Sequence, residues 1–320
     1  MKHVNLFILK LKHVFIDIQE KLSTQFIEQF DMKFIDGEYI MNPVIGNGTI
    51  DVIEFPSKLE FYHFKSCQFK IPIHMKSVNA IDSDWYLFHI NISNVKQVKK
   101  VDENSIEFQK HLPIGAIIYG PGIEIETHFK PNQDVELASF RFNKDFLKFY
   151  FDEEIKIEEK VSYEDLDYHL EEKLRLALLH MNHKILCHRY VLEFMALFID
   201  KLKKRERQGK KLNLHAEDIQ NLFKSSSHLR NPSAHKLLRV AELAAIANMS
   251  ISKFKISFKQ LFGTSPKRFH HKIRMDYAKN ELLANRKTPT QLSYEFGYSH
   301  PSNFTSAFKK YFNELPSAYN

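Results

Sequence analysis

The chain has 320 residues, 43% hydrophobic and 27% charged, a balance typical of folded globular proteins and not of disordered ones. Its length favours two domains over one. The net charge of +7 is concentrated near one end: residues 225–320 hold 15 Lys and Arg against 5 Asp and Glu, whereas the preceding residues hold 31 against 34. Such a basic region favours binding to a polyanion, because neutralised phosphates release their counterions.

The cysteines and the hydropathy pattern exclude several classes of protein. Cys67 and Cys187 lie far apart without a CxxC motif, so neither a disulfide framework nor a zinc site is expected. No apolar run reaches the ~18 residues of a membrane-spanning helix. The first fifteen residues contain Lys2, Lys10 and Lys12 and no cleavage site follows, so no secretory leader is expected. We therefore expect a cytoplasmic protein with no cofactor, no metal and no membrane contact.

Residues 1–160 are predicted to form a β-rich domain. Segments such as GTIDVIEF, DWYLFHINI and VELASFRF alternate or cluster β-branched and aromatic residues, and Pro, Gly, Asn and Asp separate them. The pattern predicts an antiparallel sheet or a cupin-like barrel. No HxH pair with a carboxylate at ligand spacing occurs, so we interpret the histidines of this region as structural. These are His63, His74, His89, His111 and His128.

Residues 161–215 are predicted to form a helical connector of two helices. Their apolar residues recur at spacings of three or four, as on one helix face. The two sets are Leu174, Leu178, Met181 and Ile185, then Val191, Met195, Phe198 and Leu202. The charged run 201–211, which contains Gly209, predicts a linker. The apolar faces can either pair two chains or pack on their own barrel, so homodimerisation is a hypothesis.

An internal repeat lies in the predicted third region, residues 216–320. The segment FKQLFGTSP at 258–266 is echoed by FKKYFNELP at 308–316, and each has a second matching segment upstream. Each copy supplies a small residue where two helices cross, a residue tolerant of positive φ, and a serine to cap the next helix. These are Ala244, Asn248 and Ser250 in the first copy, and Ser293, Gly297 and Ser299 in the second.

The repeat predicts two helix-turn-helix motifs, at about 240–262 and 289–312. The second helix of each motif has a predicted core side, with the opposite side free for DNA. The core residues would be Phe254, Phe258 and Leu261 in the first motif, and Phe304, Phe308 and Tyr311 in the second. A helix over 266–285 would join them; twenty residues at ~1.5 Å each span about 30 Å, close to the ~34 Å between successive major grooves.

At these residues the chain resembles the AraC/XylS family of bacterial regulators, over about Ser233 to Tyr319. The matching segments are VAELAAIANMSISKFKISFKQLFG, RMDYAKNELL and QLSYEFGYSHPSNFTSAFKKYF. The sequence departs from the family pattern at one residue and in one short segment. Asn248 stands where the first turn usually has Gly, and residues 313–316 (NELP) replace a more usual Gly-x-Ser/Thr-Pro. Asn accepts positive φ, so both departures are compatible with the fold.

The resemblance implies an α+β protein: a β-rich sensing or oligomerisation domain, a connector, and an all-α tandem helix-turn-helix domain. By position, the base-contacting residues would be Ser252, Lys255 and Ile256 in the first motif, and Pro301, Ser302, Asn303 and Ser306 in the second. Asn303 can pair with adenine, Lys255 with guanine, and Ile256 with a thymine methyl. The expected phosphate contacts are Ser250, Lys253, Lys259, Ser299, Lys309 and Lys310.

The function implied is sequence-specific binding of double-stranded promoter DNA in the bacterial nucleoid, with activation through RNA polymerase and modulation by a small-molecule effector of unknown identity. The layout is also similar to regulators of siderophore uptake. No enzymatic activity is expected. Two alternatives stay open: an effector-independent regulator whose N-terminal domain dimerises or binds a protein, and a DNA-repair methyl acceptor. The second needs clustered cysteines to activate a thiolate, which this chain lacks.

Overall fold

The computed structural model describes residues 11–35, 38–93, 95–101, 104–108, 115–151, 161–164, 166–207, 214–233 and 238–319. The chain divides into two compact units, Met1–Gly209 (the N-terminal unit) and Lys210–Asn320 (the C-terminal unit). Each unit has its own hydrophobic core. Among the described residues no helix is both long and apolar enough to cross a membrane.

The N-terminal unit is built mainly from strands. The strands are β1 Lys12–Asp17, β2 Lys33–Ile35, β3 Glu38–Ile40, β4 Gly46–Phe55, β5 Leu59–Phe69, β6 Ile73–Asn79, β7 Trp85–Asn91, β8 Gln97–Val101, β9 Asn104–Phe108, β10 Ala116–Tyr119, β11 Ile123–Phe129, β12 Asp134–Asn143 and β13 Val161–Glu164. The helices are α1 Leu22–Phe30, α2 Lys144–Phe151, α3 Tyr168–Leu179 and α4 Lys184–Arg207.

The strands form two sheets. One has the order β1-β6-β11-β8-β9 and the other β13-β10-β7-β12-β5-β4-β3-β2. Neighbouring strands are antiparallel, except that β1 pairs with β6 in parallel. In the first sheet, side chains of β8 and β11 alternate between buried and exposed, because one face turns inward and the other meets solvent. The prediction of an α+β protein with an antiparallel, β-rich N-terminal part is confirmed.

Strand β12 is buried on both faces, which explains why its burial does not alternate. Leu137 and Ser139 line an internal cavity on one side. Phe140, on the other side, stacks on Phe194 of α4 with 4.5 Å between ring centroids. The eight-stranded sheet therefore lies between this cavity and helices of its own unit, and its central strand carries apolar residues on both faces.

Helices α3 and α4 pack on the sheet of their own unit. Leu174, Val191, Met195 and Phe198 belong to the shared core, and Leu178, Met181 and Leu202 pack at its margin. The interpretation that Ile185 shares this face is wrong: it is 76% exposed, because it lies at the start of α4 away from the buried side that begins at Cys187.

Helix α4 extends into the charged run at 201–211, and Gly209, where the sequence predicts a break, lies outside the described residues. The helix continues to Arg207. Lys, Arg and Glu all have high helix propensity, so loss of the apolar pattern does not by itself end a helix.

Four of the histidines interpreted as structural have packing or polar partners. His63 lies 2.9 Å from Glu136 and 3.6 Å from Asp51, His89 lies 2.8 Å from Ser139, and His74 stacks on His128 with centroids 4.3 Å apart. His111 lies outside the described residues. Within the described parts of the chain, no group of three His, Cys, Asp or Glu side chains is arranged to hold a metal ion.

The C-terminal unit is helical in its described residues. Its helices are α5 Ala216–Ser227, α6 Val240–Ile246, α7 Ile251–Phe262, α8 Pro266–Leu283, α9 Pro289–Glu295 and α10 Pro301–Phe312, followed by a 3₁₀ turn at Pro316–Tyr319. Aromatic residues fill the core: Phe223 of α5 meets Phe262 of α7 with centroids 5.3 Å apart, and Phe304 meets Phe308 within α10.

Candidate nucleic-acid interface

The first helix-turn-helix motif consists of α6, α7 and the turn between them. Asn248 has φ of 51°, the left-handed conformation that the sequence predicts for the turn. Ala244 is 1% exposed, as a small residue at a close helix crossing should be. Ser250 caps α7 by accepting a hydrogen bond from the backbone NH of Lys253 at 3.3 Å. The predicted local structure of this motif is confirmed.

The second motif consists of α9, α10 and their turn. Thr288 and Gln291 form a capping box at the start of α9, and Ser293 is fully buried at the position equivalent to Ala244. Gly297 has φ of 74°. One positive-φ residue therefore shapes the turn in each motif, although the residue types differ.

The N-cap of α10 differs from the prediction. Ser299 is not the cap; His300 occupies that position, with no side-chain capping bond, and Pro301 follows in the first helical turn. Proline fixes the helix start because its ring suits the first helical position and its missing NH has no partner to lose there. The turn of the second motif is consequently one residue longer than that of the first.

Helices α7 and α10 bury equivalent phenylalanines. Phe254, Phe258, Phe304 and Phe308 are all inaccessible to solvent, and Leu261 is 7% exposed. The prediction that Tyr311 is a core residue is wrong, since it is 37% exposed. Phe312 takes that role, because it lies four residues after Phe308 on the same helix face and contacts it with ring centroids 4.6 Å apart.

The opposite side of each helix is exposed. On α7, Ser252, Lys255, Ile256 and Lys259 follow helical spacing, and Ile256 is 69% exposed although it is apolar. On α10, the equivalent side carries Ser302, Asn303, Ser306, Lys309 and Lys310, all exposed, with Pro301 half-buried at the start. The structure thus brings the predicted base-contacting residues onto one free face of each motif.

The predicted phosphate-binding lysines do not all have the same surroundings. Lys253 pairs with Asp218 of α5, with Nζ 2.9 Å from the carboxylate. In the described structure, Lys259, Lys309 and Lys310 are exposed and no carboxylate lies within ion-pair distance of them. The serines Ser250 and Ser299 are also exposed. The pair with Asp218 was not predicted, because no periodicity connects residues 35 positions apart.

Helix α8 joins the motifs and contacts the second one directly. Arg274 donates hydrogen bonds to the carbonyls of Pro232 and Phe296, at 3.0 and 2.9 Å. Phe296 immediately precedes the Gly297 turn, so Arg274 holds the backbone at that turn. Arg274 is the first residue of the segment RMDYAKNELL, and no local pattern in the sequence predicts this role for it.

An ionic network also fixes the start of the second motif. Glu295 of α9 accepts hydrogen bonds from Lys287 and Ser233, at 2.7 and 2.5 Å. Tyr277 of α8 accepts from Lys287 at 2.7 Å. The hydrogen bond to Glu295 raises the pKa of Lys287 above its ordinary value. The loop between α8 and α9 is therefore tied to both helices.

The cysteines are unsuited to nucleophilic chemistry. Both are buried free thiols. Burial raises the pKa of Cys67 to about 12 and that of Cys187 to about 11. A reactive cysteine needs the opposite shift, because the thiolate is the nucleophile.

Comparisons with known proteins give a family match within this unit. Residues 243–320 match the family model described as a helix-turn-helix domain. The chain is 34% identical over 85 residues to the probable transcriptional regulator LumQ of Photobacterium leiognathi; the match covers 26% of this chain and 34% of that protein. The chain thus covers about a third of the length of that relative.

Two solved structures are similar in parts of their folds. One is a transcriptional regulator with an AraC-type DNA-binding domain from Chromobacterium violaceum, 23% identical, covering 33% of this chain and 93% of that one with a TM-score of 0.29. The other is the apo form of a ToxT variant of Vibrio cholerae, 14% identical, covering 85% of this chain and 96% of that one with a TM-score of 0.31. The matched family model and the geometry above agree that residues 243–320 form a helix-turn-helix domain.

Proposed function

We propose that this protein is a transcription regulator that binds specific promoter sites by placing α7 and α10 in two successive major grooves of double-stranded DNA. The observation that carries the proposal is the pair of equivalent motifs, each with a buried phenylalanine side and an exposed polar or basic side. A helix of this width fits the major groove, where each base pair presents a distinct pattern of donors and acceptors.

The length of α8 supports reading by a single chain. Its 18 residues span about 27 Å at ~1.5 Å each, within reach of the ~34 Å groove repeat once the motifs at its two ends are included. The bonds from Arg274 and the network around Glu295 attach the second motif firmly to this helix. This attachment supports a fixed spacing between the second motif and α8, as reading by a single chain requires.

Individual roles follow from side-chain chemistry. Asn303 is placed to pair with adenine, Lys255 with guanine, and Ile256 with a thymine methyl. Pro301, Ser302, Ser306 and Ser252 are the remaining proposed base-contacting residues, and Ser250, Ser299, Lys253, Lys259, Lys309 and Lys310 the proposed phosphate contacts. Lys253 must exchange Asp218 for a phosphate if it contributes, so we expect its contribution to be the smallest among these lysines.

From the family resemblance we also propose that the protein activates transcription through RNA polymerase, in the cytoplasm of a bacterium. A regulator that needs no effector is the second candidate. The mainly apolar cavity of the N-terminal unit favours an effector, because such cavities are the usual form of a small-molecule site and a unit that only dimerises does not need one. The third candidate, a methyl acceptor, is disfavoured by the raised pKa of Cys67 and Cys187.

Selection of bound sequences from a random DNA pool with the full chain tests the proposal. We expect enrichment of a site with two short blocks about ten base pairs apart, and a steep loss of affinity with salt. Failure of folded protein to enrich any site at low salt, with and without cell extract as a source of effector, contradicts the proposal. Asn303→Ala serves as a matched variant. Selection with it should alter the base preference in one block and leave the preference in the other block unchanged.

A further inference from the structure

Three histidines lie side by side on the outer face of the five-stranded sheet. In the strand register, His13 of β1 is opposite His74 of β6, and His74 is opposite His128 of β11. His13 and His128 are exposed, and the side chain of His74 is 22% exposed. Directly opposite side chains on neighbouring strands are close enough to act together, and imidazole is the commonest metal ligand in proteins.

The distance between two ring nitrogens distinguishes metal coordination from a hydrogen bond. Nδ1 of His13 lies 3.3 Å from Nδ1 of His74. Two nitrogens bound to Zn²⁺ at about 2.0–2.1 Å with a tetrahedral angle are about 3.3–3.4 Å apart, whereas the right angle of square-planar or octahedral coordination brings them to about 2.9 Å. An N–H hydrogen bond is usually shorter as well, at roughly 2.7–3.2 Å. The observed separation therefore fits a tetrahedral ion best.

Glu126 of β11 determines which nitrogen of His74 can bind a metal ion. Its carboxylate lies 3.5 Å from Nε2 of His74, and that nitrogen is buried with no hydrogen-bond partner among the described residues. A carboxylate beside Nε2 favours the tautomer with the proton there, which leaves a lone pair on Nδ1. Metal-binding histidines usually have such a carboxylate at the other ring nitrogen, because it orients the ring and strengthens the ligand.

His128 packs on the ring of His74 from the side opposite His13. The two rings stack almost in parallel, with centroids 4.3 Å apart and an angle of 11° between their planes. The nitrogen lone pairs of parallel stacked rings do not converge on one point, so these two rings cannot share an ion in this arrangement. His128 is therefore a positioning residue for His74, and the convergent pair is His13 and His74.

The neighbouring charges on this face are compatible with a bound cation. Lys76, two residues after His74 on β6, pairs with Glu124 at 2.7 Å. Lys100 of β8 has its Nζ 3.9 Å from the carboxylate of Glu126. An isolated ammonium would repel a divalent ion, but an ammonium with a carboxylate beside it has a much weaker field. Neither lysine therefore prevents an ion from binding at the histidines.

We propose that His13 and His74 bind one Zn²⁺ ion through their Nδ1 atoms, with water in the remaining tetrahedral positions. Two protein ligands suffice for this, and in the part of the chain that the structure describes no group of three His, Cys, Asp or Glu side chains is arranged to hold a metal. The expectation of no metal site rested on spacing within one segment, whereas these two ligands are 61 residues apart. The proposal is independent of DNA recognition.

Calorimetric titration of the full chain with ZnCl₂ in the absence of DNA tests the proposal. We expect one Zn²⁺ per chain at the strongest site and no binding of Mg²⁺ there, because Mg²⁺ requires oxygen ligands. His13→Phe and His74→Phe each remove one of two protein ligands. Each should weaken Zn²⁺ binding by about 10-fold or more, at least the loss caused by removing an outer partner of a ligand. Glu126→Gln should weaken it by roughly 10-fold.

His128→Phe is the matched control. His128 flanks His74 as His13 does and is also exposed, and phenylalanine keeps a ring that stacks on His74 while removing both nitrogens. We expect Zn²⁺ to bind this variant as it binds the natural protein. The proposal is overturned if Zn²⁺ does not bind the natural protein, if it binds His13→Phe equally tightly, or if His13→Phe and His128→Phe lose affinity alike. None of these results bears on DNA selection, so the two proposals fail separately.

Thermal unfolding checks that a loss of binding is not a loss of folding. Without metal, His13→Phe should melt close to the natural protein, because His13 is exposed. Zn²⁺ should raise the melting temperature of the natural protein and of His128→Phe, since an ion bound only to the folded state stabilises it and joins the edge strand β1 to β6. It should leave His13→Phe unchanged. A rise of the same size in His13→Phe would contradict the assignment of the ligands.

Discussion

The two helix-turn-helix motifs reach the same backbone geometry with glycine and asparagine exchanged. The first has Asn248 in its turn and Gly263 at the end of its second helix, with φ of 51° and 72°. The second has Gly297 and Asn313 at these positions, with φ of 74° and 61°. Left-handed backbone is required at four points, and either residue type satisfies it. The backbone requirement is therefore shared, whereas the proposed base-contacting positions differ: α7 presents Lys255 and Ile256 there, while α10 presents Ser302, Asn303 and Ser306.

The largest effects should come from the buried phenylalanines that the motifs share. Phe258→Ala and Phe308→Ala should each destabilise the C-terminal unit by about 3–5 kcal/mol, because both side chains are fully buried. Denaturant unfolding followed by circular dichroism measures this change. Ile256→Ala is the control and should stay within about 0.5 kcal/mol, since Ile256 is exposed. A much smaller loss at one phenylalanine would show that the motifs are not equivalent.

The difference between the exposed faces should appear in base preference. Asn303→Ala should cost roughly 1–3 kcal/mol at one position of the second block and relax the preference there. Lys255→Ala should do the same in the first block. Competition binding with single-base variants of the selected site measures both. Equal losses at every position would contradict assignment of these residues to bases.

The exchange of glycine and asparagine can be tested at Gly297. Gly297→Ala should destabilise the C-terminal unit by about 1–2 kcal/mol, because alanine is strained in the left-handed region. Gly297→Asn should cost less, as Asn248 tolerates the same geometry in the first motif. Thermal unfolding of both variants measures the difference. An asparagine variant as unstable as the alanine variant would mean that the two turns differ in more than φ.

The smallest expected effects are changes in the salt dependence of DNA binding, which should differ between lysines of the two helices. Lys309→Ala should weaken binding to all sequences and lower the salt slope by about 1, because it removes a phosphate contact without changing base readout. Lys253→Ala should change the slope less, since Asp218 already holds that ammonium at 2.9 Å. Salt titration of the selected site and of an unrelated DNA measures both. If the slopes of the two variants fall equally, the pair with Asp218 does not persist on DNA.

What could be predicted from the sequence depended on whether a signal was local. The positive φ of Asn248 and Gly297, the buried Ala244 and Ser293, and the α+β class followed from neighbouring residues or short periods. Ser299 was misassigned because its alignment with Ser250 ignored the extra residue in the second turn. Tyr311 aligns with Leu261, but the two equivalent positions differ in burial, which the repeat does not predict. Contacts between distant positions, such as Arg274 with Phe296 or Lys253 with Asp218, had no local signal. Lys99 reads as an ordinary surface lysine beside Lys100, and only the strand register places it inside.

The central claim is that one chain reads two successive grooves of DNA with both motifs at once. Insertion of about 5 base pairs, half a helical turn, between the two blocks of the selected site tests it most directly. We expect the affinity of the full chain to fall to nearly that of a site with one block destroyed. An insertion of about 10 base pairs should not restore it, because in our proposal α8 fixes the spacing. Unchanged affinity after the half-turn insertion would contradict the claim.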